Sequence, residues 1–380
     1  MKSTNIEDLI KEGWTTKFAN RYIKAITAEK AATCFDQDYA NWAHAHGFYA
    51  ESACSYGLNN SNVNDYLSDY DYYKIWPLNG WTRIWVNDKL TLKMVLANSE
   101  YGDLMPKYYY YTTPGGLKPL VDNPYQDNKV ESFIKLLSEV KEYACKPCNG
   151  TTAIGFVKMS YEGGEYLINE KPVTKDEIAD FISSHPNYVF TEYIHPSEDF
   201  SKFSNQIHTM RIVTLNDKGC DPQIAGGYLR LPNQNNGEAN YSVLDGSDIN
   251  KFNLFVELNA HTGVYGNAKK TFANRVEVTT IHPDTGAEIA GFVKNYDQLK
   301  QTILGIAQRF NTLEWLGFDI GVTDHGFKCM EINTHPGIKY MQIFRSLYAD
   351  DFTRDYFMRK VQEIDNLTEE EKLKRNKIVR

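Results

Sequence analysis

The chain has 380 residues, which is too long for one compact core and predicts two or three packed subdomains. Hydrophobic residues make up 42% of it and aromatic residues 13%, enough to bury substantial cores, so global disorder is excluded. The formal net charge of -8 argues against a general binder of nucleic acid or of anionic membranes, because both need a basic face. A local basic pocket for phosphates is still compatible with that charge.

The cysteine pattern and the lack of long apolar runs bear on the compartment. Six cysteines are scattered without the spacing of a disulfide framework. The first residues contain no apolar signal run, and no stretch approaches the ~18–20 apolar residues that cross a bilayer. We therefore expect reduced thiols in a cytoplasmic protein with no transmembrane segment.

The first part of the chain has apolar residues at helical spacing. Ile6, Leu9 and Ile10 fall on one face, and a second stripe follows. Turn-forming residues are dense at 57–64 and mark a boundary. Residues 1–80 are therefore predicted to form a helical N-terminal segment.

Helix and strand signals alternate in the rest of the chain. Residues 81–135 have the order helix then strand, which suits a small α/β domain. Strand signals dominate residues 136–205 and 206–350, so two sheet-bearing lobes are expected there. A charged terminal helix is predicted over residues 351–380.

The most specific cluster of polar residues lies on a predicted hairpin. Asp319 is on its first strand, while Glu331 and Asn333 share one face of the second because side chains alternate along a strand. Three oxygen-bearing side chains on one patch suit magnesium, which takes a few carboxylates plus substrate phosphate oxygens. The alternative is ordinary polar residues on a half-exposed sheet. The turn at residues 333–337, whose backbone amides could face an anion, favours a functional site.

A second candidate is Lys146, which precedes the small-residue loop 149–153. Such a loop lets backbone amides approach a polyphosphate, and a lysine on a strand supplies a fixed positive charge. This is not a P-loop, and a lysine before proline is more often a plain strand end. Cys145 and Cys148 flank Lys146, but without a second cysteine pair zinc binding or redox chemistry is the minority interpretation.

Two further stretches carry polar residues beside apolar strands. At the end of the strand near Ile194, the backbone could hydrogen-bond a purine edge, and Glu198 could bind a ribose. The simpler interpretation is a strand end that carries exposed acidic residues. Arg211 lies in an apolar strand, where a charge needs a partner or a ligand. Arg230 and the pair 269–270 could likewise neutralise a phosphate or carboxylate, with surface ion pairs as the alternative.

In chain order these pieces resemble the ATP-grasp superfamily over about residues 80–345. The runs 81–109 and 208–214 are similar to its sugar-transfer-associated branch, which is linked to surface-polysaccharide biosynthesis. The resemblance implies a mixed α/β (α+β) fold in which two sheet-bearing lobes clamp ATP. In that fold, residues 81–135 are a pre-ATP-grasp domain, 136–205 the lid subdomain and 206–350 the catalytic subdomain.

The resemblance also implies that individual residues bind ATP and two Mg²⁺ ions. The implied nucleotide and metal contacts are Lys89 and Lys146 on the phosphates, the backbone of Glu192, Tyr193 and Ile194 on adenine, Glu198 on the ribose, and Asp319, Glu331 and Asn333 on magnesium. Lys93 competes with Lys89, and Asp199 with Glu198, for the same roles.

Two arginines and a group of other residues are candidates to act on the substrates. Arg211 matches an arginine near the reacting phosphate and acyl group, and Arg230 is a second catalytic candidate. The candidates for substrate contact are His208, Thr209, His335 and Gly337. Two departures from the family pattern are a loop after Lys146 that is poor in glycine and an Asn-rich stretch at 232–274 that does not align.

The reaction that the resemblance implies is amide-bond formation driven by ATP. A carboxylate attacks the γ-phosphate, and an amine then takes the acyl phosphate, with release of ADP and phosphate. The expected partners are a small carboxylate and a small amine, such as a sugar acid or glycan precursor and an amino acid, and a homodimer is one assembly open to the chain. The alternatives are a sugar kinase, with His208 or His335 as base, and a non-catalytic ATP-binding component of glycan assembly.

Overall fold

The computed structural model describes residues 2–149, 154–234 and 249–375. The small-residue loop predicted after Lys146 therefore lies, apart from Asn149, outside the described residues. The N-terminal segment is helical, as expected, and its helices are α1 (Ile6–Lys11), α2 (Thr16–Ala31), α3 (Gln37–Ala45), α4 (Ala50–Tyr56) and α5 (Asp69–Lys74). Leu9, Trp14 and Tyr22 are fully buried in a cluster of their own between these helices.

The first lobe is built on an N-terminal sheet with the strand order β2-β1-β7-β3-β4-β5-β6. Two helices, α6 (Ile84–Asn87) and α7 (Lys89–Ala97), precede it. Its elements in chain order are β1 (Tyr108–Thr113), β2 (Gly116–Pro119), α8 (Val130–Val140), β3 (Glu142–Pro147), β4 (Val157–Glu162), β5 (Glu165–Ile168), β6 (Lys171–Val173), α9 (Lys175–Ser184) and β7 (Tyr188–Glu192). The apolar faces of α8 and α9 cover one side of the sheet, around Phe133 and Phe190.

The second lobe is built on a C-terminal sheet with the order β12-β11-β10-β9-β8-β14-β15, to which β13 adds by pairing with β11. A short helix, α10 (Glu198–Ser201), connects the two sheets. The strands and their helix are β8 (Thr209–Leu215), β9 (Gln223–Leu231), β10 (Asn253–Leu258), β11 (Val264–Thr271), β12 (Val276–Thr279), β13 (Gly291–Phe292), α11 (Tyr296–Arg309), β14 (Trp315–Thr323) and β15 (Gly326–Asn333). The chain then continues through α12 (Lys339–Gln342), α13 (Asp351–Asp365) and α14 (Glu369–Arg375).

The two faces of the C-terminal sheet pack against different parts of the chain. Side chains alternate along β8, so Ile212 enters one core and Val213 the other. The first core includes the apolar face of α11, with Leu299 and Ile303. The second joins the sheet to the N-terminal helices and α13, and Trp315 is fully buried there. The N-terminal segment is thus a cover for one face of the C-terminal sheet.

The mixed α/β prediction with two sheet-bearing lobes is confirmed. Strand pairing refines it, because every pair in both sheets is antiparallel. The boundary expected near residue 135 divides one continuous sheet, since β1 pairs with β7. The stretch 232–274, which did not align, contains all of β10 and β11, with residues 235–248 outside the described part of the chain.

Candidate functional site

The hairpin of β14 and β15 brings the three predicted metal ligands together. Asp319 pairs directly with Glu331, and a bulge follows between Asp319 and Ile320. The Asn333 Nδ2 atom donates to Asp319 Oδ2 over 3.3 Å and to Glu331 Oε1 over 3.1 Å. The alternation of side chains along a strand therefore correctly predicted that these three side chains lie on one patch. Their role as metal ligands stays a prediction.

Arg211 on the neighbouring strand β8 completes the patch. It pairs with Asp319 in register and donates through two nitrogens to its carboxylate, with Nη2 to Oδ2 at 2.8 Å. Burial and the nearby Glu331 carboxylate raise the pKa of Asp319 to about 7, while Arg211 opposes that shift. Burial alone would lower the pKa of Arg211, but Asp319 raises it, so the guanidinium stays charged.

A glycine makes this close packing possible. A Cβ added at Gly317 would lie 2.6 Å from Pro336 Cβ and 3.2 Å from Arg211 Cδ. The turn after β15 can therefore close over Arg211 only because residue 317 has no side chain.

The donor set fits a magnesium ion that also binds substrate phosphates. It consists of two carboxylates and one amide, all with oxygen donors that suit a hard cation. Among the described residues no group of three or more His, Cys, Asp or Glu side chains could hold a metal by itself. An ion at Asp319 and Glu331 would consequently take the rest of its ligands from phosphate oxygens and water.

Two lysines approach this patch, Lys89 at the start of α7 and Lys146 on β3. Lys89 Nζ lies 3.9 Å from Glu331 Oε2. Burial, together with the neighbouring charge of Lys89, lowers the pKa of Lys146 to about 8, while Glu331 acts in the opposite direction. Two cations beside a carboxylate pair form an arrangement suited to a polyphosphate with its metal.

The position of Lys89 is set by contacts between α7 and the end of β3. Asp88 caps α7 by accepting from Thr91 N over 2.7 Å, and it also accepts from Cys148 Sγ over 3.3 Å. Lys93, the competing lysine, instead pairs with Asp122 at 2.8 Å. The structure thus directs Lys89 rather than Lys93 at the patch.

The segment 192–198 crosses from one sheet to the other. Glu192 ends β7, while Ser197 N donates to Val322 O on β14 over 2.9 Å. Tyr193 and Ile194 lie outside the strands, so their peptide groups are not part of the sheet ladder. Glu198 is exposed, with its backbone N–H bound to Asp324 Oδ1 at 2.9 Å, whereas Asp199 pairs with Lys294 at 2.8 Å.

The next residues along the sheet add charge and aromatic rings. Arg230 pairs with Thr209 across β8 and β9, and its Nη2 donates to Asn253 Oδ1 over 3.1 Å. Burial lowers the pKa of Arg230. Tyr228, two residues before it, points to the same face, and the Tyr340 ring lies 6.0 Å from the Tyr228 ring.

Sequence reasoning missed Tyr228 and Tyr340. Tyr228 could have been found, because it precedes Arg230 by two positions on a strand and so shares its face. Tyr340 lies on α12 and stacks on Phe255 with ring centroids 3.9 Å apart. Nothing local in the sequence marks that contact. Lys269, a predicted anion-binding residue, donates to the backbone oxygen of Ile343.

The two histidines proposed as substrate contacts are packed side chains. His208 accepts from Val322 N over 3.2 Å through Nε2 and stacks on Phe200, and burial lowers its pKa to about 3. His335 stacks on Tyr72 at 4.0 Å, and burial lowers its pKa to about 3 as well. Both rings are neutral, and these surroundings do not favour either as a base. Gly337, by contrast, is exposed.

Comparison with protein families gives one match. The family model described as sugar-transfer associated ATP-grasp covers residues 81–349. This range begins three residues before α6 and ends between α12 and α13, so it contains both sheets and leaves out the helices α1 to α5. No curated protein matches the sequence.

Several solved structures are similar in part of their length. D-alanyl-alanine synthetase A from Vibrio cholerae O1 biovar eltor is 13% identical with a TM-score of 0.44, over 76% of this chain and 68% of that one. D-alanine–D-alanine ligase from Bacillus anthracis is 12% identical with a TM-score of 0.34, over 73% and 69%. L-amino acid ligase from Bacillus licheniformis is 10% identical with a TM-score of 0.34, over 67% of this chain but only 42% of that one. In the described residues, no helix is both long and apolar enough to cross a membrane.

Proposed function

Because the chain belongs to the sugar-transfer associated ATP-grasp family, we propose that it is a magnesium-ATP-dependent ligase that joins a carboxylate to an amine. The observation that carries the proposal is the position of Lys89 between the end of β3 and β15. Its backbone N donates to Cys148 O, just after β3, over 3.3 Å, and its Nζ lies 3.9 Å from Glu331 Oε2, whose residue is paired with Asp319 on β14. Opposite charges at one point between the two sheets suit a ligand that holds both, such as a nucleoside triphosphate with its metal.

The chain's own residues would divide the work of binding ATP. Lys89 and Lys146 would neutralise phosphate charge, and Asp319, Glu331 and Asn333 would hold magnesium. Magnesium, when bound, supplies Lewis-acid polarisation of the γ-phosphoryl group. The peptide groups at Glu192, Tyr193 and Ile194 would face the adenine, and Glu198 the ribose, because this segment joins the two lobes.

Arg211 and Arg230 would act on the carboxylate substrate. Both lie on the same face of the C-terminal sheet as Asp319, and Arg211 contacts that residue directly. A carboxylate held between them would have its charge neutralised while an oxygen attacks the γ-phosphorus. The guanidinium groups would then stabilise the acyl phosphate and the tetrahedral species formed by the amine.

The substrates that we propose are a sugar acid or glycan precursor and an amino acid, in line with the description of the family. Sugar phosphorylation is the second candidate, but it needs a base at the acceptor hydroxyl. His208 and His335 are packed against Phe200 and Tyr72, which speaks against that route. A purely ATP-binding role, the third candidate, predicts no turnover of ATP with any carboxylate.

Product analysis tests the proposal. The protein is incubated with magnesium, ATP, hydroxylamine and a panel of uronic acids supplied singly, without another amine. We expect a hydroxamate with an equal amount of ADP, because hydroxylamine traps an acyl phosphate. AMP as the product would show adenylation and overturn the mechanism. ADP with a phosphorylated sugar and no hydroxamate would replace ligation with the kinase reaction.

A further inference from the structure

A cavity of about 480 Å³ lies beside the candidate site, between the C-terminal sheet and the part of the chain from α12 to the start of α13. The sheet wall comes from β9, β10 and β11 and includes Gly226 and Glu257. Met341, Phe344 and Arg345 form part of the opposite wall. Its volume lies in the range of small-molecule sites, and its lining mixes apolar and charged side chains.

Opposite charges line the two walls. Asn267 Nδ2 donates to Glu257 Oε2 over 3.0 Å, and Lys269 acts on Glu257 through its charge, but among the described residues Glu257 has no ion pair within 4 Å. Among the described residues, Arg345 donates only to the carbonyl oxygen of Ala349, over 3.3 Å. A third charged group, Asp350, is already used to cap α13 through Thr353 N at 2.8 Å. One carboxylate and one guanidinium are therefore available to a ligand.

The register of the sheet connects this cavity to the candidate site. Glu257 pairs with Tyr228, Tyr228 with Arg211, and Arg211 with Asp319. Directly paired residues point to one face, so these four side chains form one row across the sheet. The row begins at the predicted metal ligand Asp319 and reaches the cavity at Glu257. Strands two apart are separated by roughly 10 Å, which is the expected spacing between the Cα atoms of Glu257 and Arg211.

We propose that this cavity binds the amine substrate, and that the substrate is a zwitterion of the amino-acid type. Its ammonium group would lie at Glu257, on the wall that continues towards Arg211, and its carboxylate would lie at Arg345 on the opposite wall. Phe344 and Met341 would contact the apolar part of the molecule. The assignment of the ligand as a substrate rests on the ligase function proposed above, while the binding itself does not.

Calorimetric titration of the full chain with the common amino acids, supplied singly, tests the proposal. The matched variants are Glu257→Gln, Arg345→Gln and Glu288→Gln, the last at an exposed position outside the cavity. We expect the best amino acid to bind at least tenfold more weakly to the first two variants and unchanged to the third. The amide of that amino acid lacks the carboxylate, so the wild type and Arg345→Gln should bind it equally.

The outcomes separate the site from the function. If no amino acid binds the wild type, or if Glu257→Gln binds as the wild type does, the site proposal is overturned. Thermal stabilisation by magnesium-ATP should be the same in all four proteins, which checks that each variant is folded. Hydroxamate formation that persists without amino-acid binding would leave the ligase function standing and remove the site. Amino-acid binding that depends on Glu257, without any ADP release, would leave the binding site standing and overturn the ligase function.

Discussion

Lys146 is a partly buried cation beside a second cation. Burial and, after it, the charge of Lys89 lower its pKa to about 8. A protein keeps two such charges together at a cost unless an anion binds there, and the ATP phosphates are the anion that we propose. The protonation state of Lys146 should therefore affect the affinity for the nucleotide.

Lys146→Ala should weaken magnesium-ATP binding at least tenfold, which corresponds to about 1.4 kcal/mol. The matched control is Lys141→Ala, because Lys141 is exposed at the end of α8, where its Nζ donates to Ser138 O over 2.8 Å and lies 5.0 Å from the Tyr161 ring centroid, away from the candidate site. Calorimetric titration measures both affinities. Equal affinities in the two variants would mean that Lys146 is an ordinary residue at a strand end.

The same site predicts a pH dependence. Since the pKa of Lys146 is lowered to about 8, its ammonium is charged at pH 7 and loses its proton as the pH rises through about 8. The wild-type affinity for magnesium-ATP should therefore fall between about pH 7 and pH 9. Lys146→Arg keeps its charge over this range, so its affinity should fall less.

Glu331→Gln should reduce turnover by on the order of 100-fold or more while the protein remains folded. Burial acts to raise the pKa of Glu331, but hydrogen bonding to Asp319 and the charge of Lys89 outweigh it, so the carboxylate is ionised in the native protein. The substitution removes that charge with little change of volume. Hydroxamate formation measures the rate, and Glu165→Gln, at an exposed hairpin position, is the control. A wild-type rate in Glu331→Gln would exclude the metal assignment.

At the scale of elements, the turn between β15 and α12 is held by the N-terminal helices. Tyr72 on α5 donates through its hydroxyl to Pro336 O and accepts from Trp315 Nε1 over 3.1 Å. Asn79 donates to Thr334 O over 2.9 Å. These contacts reach the residues that follow the predicted metal ligands directly. The N-terminal segment, which lies outside the range of the family model, therefore helps to shape the site.

Tyr72→Phe should lower the free energy of unfolding by about 1–3 kcal/mol, because it leaves Pro336 O and Trp315 Nε1 without their partner in a buried place. Urea unfolding measures the change. Tyr125→Phe is the control, since the Tyr125 hydroxyl contacts Glu139 at the surface. If both variants lose the same stability, the hydroxyl of Tyr72 does not hold the turn.

At the scale of the whole molecule, ATP bound between the lobes would stabilise both of them at once. Ligand at 100 times its dissociation constant adds about 2.7 kcal/mol to the free energy of unfolding. Magnesium-ATP should therefore raise the thermal midpoint, and ATP with a chelator should raise it much less, because Asp319 and Glu331 hold the phosphates through the metal. Equal shifts with and without magnesium would contradict this arrangement.

The sequence by itself was enough to place the polar patch and the two lobes. Alternation along a strand puts Glu331 and Asn333 on one face whatever surrounds them, and the apolar runs predicted most strands of both sheets. These inferences depend on local geometry, which the order of residues determines directly.

Only the tertiary structure decided the remaining features. It showed that Lys89 and not Lys93 reaches Glu331, that His335 is packed on Tyr72, and that residues 2–80 cover a face of the C-terminal sheet. It also brought Glu257 and Arg345 to one cavity, 88 positions apart in the chain by their numbers. The physical reason is that these contacts join elements distant in sequence, and their energy comes from packing and burial, which no local pattern of residues specifies.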